Sequence, residues 1–306
     1  MSASRVMPMR PVRMSEAAWG YLSASPALLL VGLLALAPVL AAVWLSLHRR
    51  LPIFGIDEFV GGYNYWMLWG DDRFWSACRT TLYFTGLSVA AEVGLGLVLA
   101  LLLDGALGGR EQRWMQMVVL IPWAVSTVVS ASIWGWLYHP DYGLLNYLLR
   151  VTGLVSTPVN WLSDPVWALH AAILMDVWKT TPFAALLLLA GLKAIPRDLY
   201  LAARVDGAGW WMTFRYVTMP LLVPVILIVL VFRTMDAVRV FDAVYVLTAG
   251  GPGNGTETLS IYAYKTLFQM LEFGYGSTLS TAMFMIIVVL TVGYLLLLRP
   301  HLRETA

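Results

Sequence analysis

Charge is scarce in this sequence. Only 12% of the 306 residues are Asp, Glu, Lys or Arg, against roughly 25% in soluble domains. Hydrophobic residues make up 59%, and mean hydropathy is +0.73. That deficit excludes a soluble enzyme of this length and fits a chain solvated mainly by lipid. A net charge of +2 supplies no global basic field pointing to nucleic acid. Cysteine is nearly missing: Cys78 stands alone, so no internal disulfide can form. There is no Gly-x-x-x-x-Gly-Lys-Ser/Thr string to cradle nucleotide phosphates. No His, Cys or carboxylate set has metal-ligand spacing, and no Ser/His/Asp arrangement suggests catalysis. The chain is therefore expected to bind no metal or cofactor of its own, and any energy-driven process it takes part in has to draw its energy from elsewhere.

What the sequence has in abundance is long apolar runs. A helical span needs about 20 apolar residues. Six segments qualify, at 22–47, 75–103, 115–138, 165–190, 219–247 and 277–298. Their apolar character is continuous rather than alternating, which favours helices over a barrel. The expected fold is all-α, with about six transmembrane helices in one domain, 22–298, between an N-terminal segment, 1–21, and a tail, 299–306. The first run is too long for the apolar region of a signal peptide, and no small-residue cleavage site closes it. With the N-terminus inside, the inner flanks hold eleven Lys and Arg and the outer flanks five. This bias predicts a multi-pass protein with both termini in the cytoplasm. Outer loops such as Gly61-Gly62-Tyr63-Asn64-Tyr65-Trp66 are rich in aromatics, which suits interfacial anchoring or contact with an extracytoplasmic partner.

The longest inner loop, 195–219, carries its own pattern. Pro196 suits a helix start; Leu199, Ala202 and Ala203 share a face; Gly207 can adopt the left-handed stop. A second short helix is expected to run to Pro220. The product is a surface helix pair, slim enough at its two alanines to enter a groove on another protein. From these residues alone, a simple interfacial pair fits equally well.

Charges inside spans cost roughly 2.5–3.5 kcal/mol each at the helix centre, so they mark partners, cavities or substrate paths. Asp176 and Lys179 lie three apart in the fourth span; Arg233, Asp236 and Arg239 repeat at the same spacing in the fifth. Each set occupies one helix face, so the two faces can pair. The residues fit a salt-bridge lattice, a polar cavity offering hydrogen bonds to hydroxyls, or both. Trp123 would then be an aromatic platform. Glu92 and Arg79 in the second span read as reaching a neighbouring helix or snorkelling, and the lone His170 reads as structural.

The inner loop resembles the EAA loop of ABC importer permeases, the segment that docks on the ATPase subunit. The family pattern of Glu-Ala-Ala, then Gly, then a downstream Pro is met at Ala202, Ala203, Asp206, Gly207, Ala208 and Pro220. Leu201 stands where the family has its glutamate, and Asp198 is the candidate to supply that charge. The likeness extends to Leu120-Ile121-Pro122-Trp123, Trp178-Lys179-Thr180-Thr181-Pro182-Phe183, Phe232-Arg233-Thr234-Met235-Asp236 and Leu247-Thr248-Ala249-Gly250-Gly251-Pro252. Together these are similar to the type I permease subunits of carbohydrate-uptake ABC transporters, maltose and trehalose permeases above all. The resemblance implies a prokaryotic inner-membrane location and a sugar substrate such as an α-linked disaccharide. It also implies a second related permease, an extracytoplasmic sugar-binding protein, and two ATPase subunits that hold the ATP and Mg. It places the sugar site at Trp123, Thr127, Asp176, Lys179, Thr180, Phe183, Arg233, Ala237 and Val240, with Asp236 beside them. Nearby alternatives are an importer of another polar solute, such as glycerol phosphate or an oligosaccharide, and a proton-coupled secondary transporter.

Overall fold

A computed structural model describes residues 15–105 and 109–303; for 16–18 and 297–303 it describes the backbone alone. Arg5, Arg10 and Arg13 of the inner-flank charge count lie outside the described residues, as do the side chains of Arg299 and Arg303. Fourteen α-helices occur among the described residues: α1 (Glu16–Val31), α2 (Ala37–Ser46), α3 (Tyr63–Trp69), α4 (Asp72–Gly105), α5 (Arg110–Ala124), α6 (Thr127–Leu137), α7 (Leu144–Val151), α8 (Pro165–Ala194), α9 (Arg197–Val205), α10 (Trp210–Thr213), α11 (Met219–Val238), α12 (Asp242–Thr248), α13 (Leu259–Tyr264) and α14 (Phe273–Arg303). Five helical rods are long and apolar enough to cross a membrane: Trp19–Ser46, Asp72–Gly105, Pro165–Ala194, Trp210–Val238 and Phe273–Leu296. The bent pair α5–α6 makes a sixth crossing if it is taken as one span.

α8 is the most enclosed span, because it packs along α4 and also meets α5, α6, α11 and α12. Small residues permit this. Gly96 of α4 lies directly against Ala184 and Ala185 of α8, and Gly191 of α8 faces Leu222 and Val225 of α11. Below these contacts Ala100, Leu103, Leu188, Leu192, Leu222 and Val229 form the main apolar core. In lipid such close packing replaces the hydrophobic drive between helices. α14 packs on α2 and α11, whereas none of the described side chains of α1 is buried.

Four features differ from expectation. The third span is not straight: α5 and α6 meet at 89°, with Val125 and Ser126 extended between them. Pro122 withdraws one backbone donor from the last turn of α5. The fifth span ends early, at Val238 rather than 247. The chain turns at Arg239 and resumes as α12 with Asp242 in its first turn, where a carboxylate favours the helix N-terminus. The second surface helix is not separate from the fifth span. A π turn, Phe214–Thr218, joins α10 to α11, so the rod continues through Pro220. The π turn Gly32–Leu36 stands in the same relation to Pro38 in the first span; in both places the altered hydrogen-bond register ahead of the ring accommodates a residue without an N–H. A two-stranded hairpin also interrupts the all-helical plan, His48–Leu51 pairing antiparallel with Ile56–Phe59. It is pinned by Asn64, whose amide donates to the carbonyls of Ser46 (2.8 Å) and His48 (3.0 Å).

Candidate functional site

α8 and α11 bring their charged faces together in the interior. A cavity of about 310 Å³ opens there, lined by Thr127, Asp176, Lys179, Thr180, Arg233, Asp236, Ala237 and Val240, with Arg239, Phe241, Asp242 and Ala243 closing its rim. Eight of the ten expected substrate contacts thus share one wall. Trp123 and Phe183 are not in that lining. They stack on each other, centroids 5.7 Å apart and planes 21° apart; Phe183 lies one turn along α8 from Lys179. Thr127 reaches the cavity because the break at Val125–Ser126 aims α6 toward it. Irregular backbone at membrane depth is tolerated where it lines such a space.

Arg233 is the centre of the charge network and is buried. Its Nε donates to Glu92 Oε2 (2.5 Å), its Nη2 to Glu92 Oε1 (3.1 Å) and its Nη1 to Asp236 Oδ2 (2.7 Å). The Asp176 carboxylate approaches Nη2 to 3.6 Å without a hydrogen bond. Asp176 Oδ2 is enclosed and has no hydrogen-bond partner among the described residues. Buried oxygens of that kind are rare. Thr180 donates from its hydroxyl to Glu92 Oε1 (2.7 Å) or to its own helix at the Asp176 carbonyl (2.6 Å). The two readings of the α8 and α11 charges therefore hold together: they fasten helices and also wall a cavity. Glu92, set aside in the sequence, is fully buried and is the principal partner of Arg233. Its only signal was a lone carboxylate in the middle of a span that also required a cationic partner somewhere in the bundle. His170 is structural, its Nδ1 donating to the Val166 carbonyl (2.7 Å) and its Nε2 accepting from Tyr83 (2.9 Å).

At the end of the bundle where α8 finishes, α9 forms the expected short helix. Asp198 lies in its first turn, and Leu201, Ala202 and Ala203 lie along it. Gly207 takes φ +75°. Its N–H donates to Arg204 (3.1 Å), and that of Ala208 to Ala203 (2.9 Å), the double bond pattern of a Schellman stop. Asp206 caps the helix, its N–H bonded to Ala202 (3.0 Å). None of the α9 side chains is buried; Val205 is 87% exposed. A helix this short and uncovered is marginal alone, and it presents a protruding apolar face.

The opposite end holds a second ionic cluster that sequence reasoning missed. Glu257, buried after the Gly250–Gly255 turn, accepts from Arg73 Nε (2.7 Å) and Nη2 (2.9 Å) and from Lys265 Nζ (2.8 Å). Burial raises its pKa, but these two cations outweigh burial and hold it below the usual value. Asp71 behaves alike: burial pushes it up, and the hydroxyls of Tyr275 and Tyr262, which both donate to it, outweigh burial and hold it below its usual value.

A bundle of broken and continuous spans with a polar cavity between its helices and an exposed surface helix is the architecture of a membrane permease. Residues 92–303 match the family described as the binding-protein-dependent transport system inner membrane component, and the chain belongs to that family. It is 44% identical to the trehalose/maltose transport system permease protein MalF of Thermococcus litoralis over 92% of this chain and 93% of the relative. It is 38% identical to the trehalose transport system permease protein SugA of Mycobacterium tuberculosis, over 89% and 86%. The fold matches a chain of a bacterial ABC transporter that imports the acidic polysaccharide alginate, at a TM-score of 0.81 and 22% identity, covering 92% of this chain and 95% of that one. The chain is accordingly a multi-pass permease subunit of an ABC importer that works with a binding protein, a transport component rather than an enzyme.

Proposed function

We propose that this chain forms half of the translocation path of an ATP-driven sugar importer, and that the cavity at Asp176 and Arg233 receives the sugar. The single observation that carries this reading is the polar cavity walled by Asp176, Lys179, Thr180, Arg233 and Asp236, where Asp176 Oδ2 has no hydrogen-bond partner among the described residues. A sugar hydroxyl is the donor that such an oxygen lacks. An α-linked disaccharide such as trehalose or maltose is the preferred substrate, supported by the names of the relatives at 44% and 38% identity. The other half of the path comes from a second, related permease. Of two ATPase subunits, which carry the ATP and Mg, one docks on this chain at α9 and its stop, through Asp198, Leu201, Ala202, Ala203, Asp206, Gly207 and Ala208. An extracytoplasmic protein delivers the sugar. The Lys and Arg bias places both termini in the cytoplasm. Segment 1–21 and tail 299–306 then flank the membrane domain on that side. Closure of the ATPase dimer moves α9, and the rigid-body response opens the cavity outward.

The test is ATPase activity and uptake by the reconstituted complex with its binding protein, across a panel of sugars. Stimulation by an α-linked disaccharide is expected. Asp176→Asn should then raise the transport KM roughly ten- to hundredfold, the loss of one hydrogen bond to a charged group. An assembled complex that hydrolyses ATP but answers to no sugar would overturn the substrate assignment. Normal KM in the Asp176 variant would remove that residue from the site.

A further inference from the structure

Glu92 is absent from the cavity wall, yet both of its oxygens are spent on residues that form that wall. Fully buried in α4, it takes two N–H groups of Arg233 and the hydroxyl of Thr180. We propose that Glu92 is a positioning residue for substrate recognition: acting through Arg233, it turns the guanidinium so that Asp176 keeps an oxygen free for a hydroxyl of a neutral polyol. The inference rests on the reading of this cavity as the sugar site.

The donor inventory supports it. A guanidinium carries five N–H donors in a planar fork and pairs side-on with carboxylates. Three are engaged here, two by Glu92 and one by Asp236. Asp176 is left at 3.6 Å, too far for a hydrogen bond. Without Glu92 the nearest remaining acceptor for the Nε and Nη2 edge is Asp176 itself. The fork would close on it, and the cavity would lose the Asp176 Oδ2 as an unoccupied acceptor. Charge points to the same class of substrate. Around the cavity Glu92, Asp176, Asp236 and Asp242 oppose Arg233, Lys179 and Arg239, so carboxylates outnumber cations, and three donors of Arg233 are already committed to carboxylates. A phosphate or carboxylate would enter a site that already carries an excess of negative charge. A neutral solute whose hydroxyls both donate and accept meets no such repulsion.

The experiment uses the complete reconstituted transporter with its binding protein. Wild type is measured first, with trehalose and maltose. Glu92→Gln and Glu92→Asp follow, each scored for assembled complex per membrane, basal ATPase and uptake KM. Positioning predicts a rise in KM of roughly ten- to hundredfold in Glu92→Gln. It predicts a smaller rise in Glu92→Asp, which keeps the charge but shortens the reach. Glu92→Gln combined with Asp176→Asn should be far from additive in KM, since both changes remove the same free acceptor. Less assembled complex with a wild-type KM per complex would overturn the inference and leave Glu92 a purely structural partner. Additive effects in the double variant would overturn it as well. If Glu92→Gln does not assemble, Glu92→Asp carries the test with the same outcomes. A wild-type complex indifferent to sugar refutes the site reading instead, before any variant is made.

Discussion

Gly96 joins packing to recognition, and replacing it by alanine tests the join. A Cβ at this position would stand 2.9 Å from the Ala184 Cβ and 3.1 Å from the Ala185 nitrogen. Carbon atoms rest about 3.5–4.0 Å apart, so α4 and α8 must separate by roughly 0.6–1.1 Å. Glu92 is one turn from Gly96, and Thr180 one turn from Ala184. The same separation takes the Thr180–Glu92 contact from 2.7 Å to about 3.3–3.8 Å, beyond the reach of an O–H···O bond. Overpacking of this kind costs about 1–3 kcal/mol. Gly96→Ala should therefore lower the melting temperature of the assembled complex in nanodiscs and raise its uptake KM together. Gly94→Ala on the same helix is the control, because a Cβ there meets nothing within 4 Å. Two variants with the same melting temperature and KM would refute the claim that this close approach sets the site.

Two further outcomes follow from the ends of the bundle. Replacing Glu257 by Ala strands Arg73 and Lys265 and should cost up to about 3 kcal/mol, the low end for breaking a buried pair, since Arg73 keeps some access to water. Because the folded pKa of Glu257 lies below its ordinary 4.5, the stability it supplies is complete above that value and is lost as pH falls through the folded pKa. Glu257→Gln should narrow the difference in melting temperature between pH 7 and pH 4, and an unchanged difference would count against the cluster. At the other end, Val205→Asp alters only a side chain that is 87% exposed. It should leave the melting temperature of the isolated permease unchanged while reducing sugar-stimulated ATPase at least several-fold; unaltered stimulation would dissociate this face of α9 from coupling.

Much of this architecture could be read from residue order. The long apolar runs gave the spans because lipid leaves the backbone no other partner. Gly207 gave the stop of α9 because a left-handed residue there is nearly free of steric cost. Asp176 and Arg233 were expected on facing helices and are found there. Glu92 was not assigned because its partner lies 141 residues away and a single carboxylate has no periodicity to betray its direction. The break at Val125–Ser126 was hidden because hydropathy is blind to direction: a bent pair and a straight span have the same composition. Pro220 was taken for a boundary, since a proline normally opens a helix; the preceding π turn carries the rod through it. Glu257 was overlooked beside a glycine-rich turn that drew attention to flexibility rather than to the ions that fix its far side.

The uninterrupted rod from Trp210 to Val238 has a mechanical meaning. From Trp211 to Arg233 there are 22 residues, about 33 Å of helix at 1.5 Å per residue. A stiff lever of that length, tilted by roughly 10° about its inner end, sweeps its tip through about 6 Å, more than the width of the gap between Arg233 and Asp176. The fulcrum lies beside the surface helix, and the tip carries a guanidinium shared between α4 and α8. A small rotation imposed at the membrane face thus arrives in the interior as a stroke of atomic size, carried along one helical rod through the π turn and the prolines that follow it.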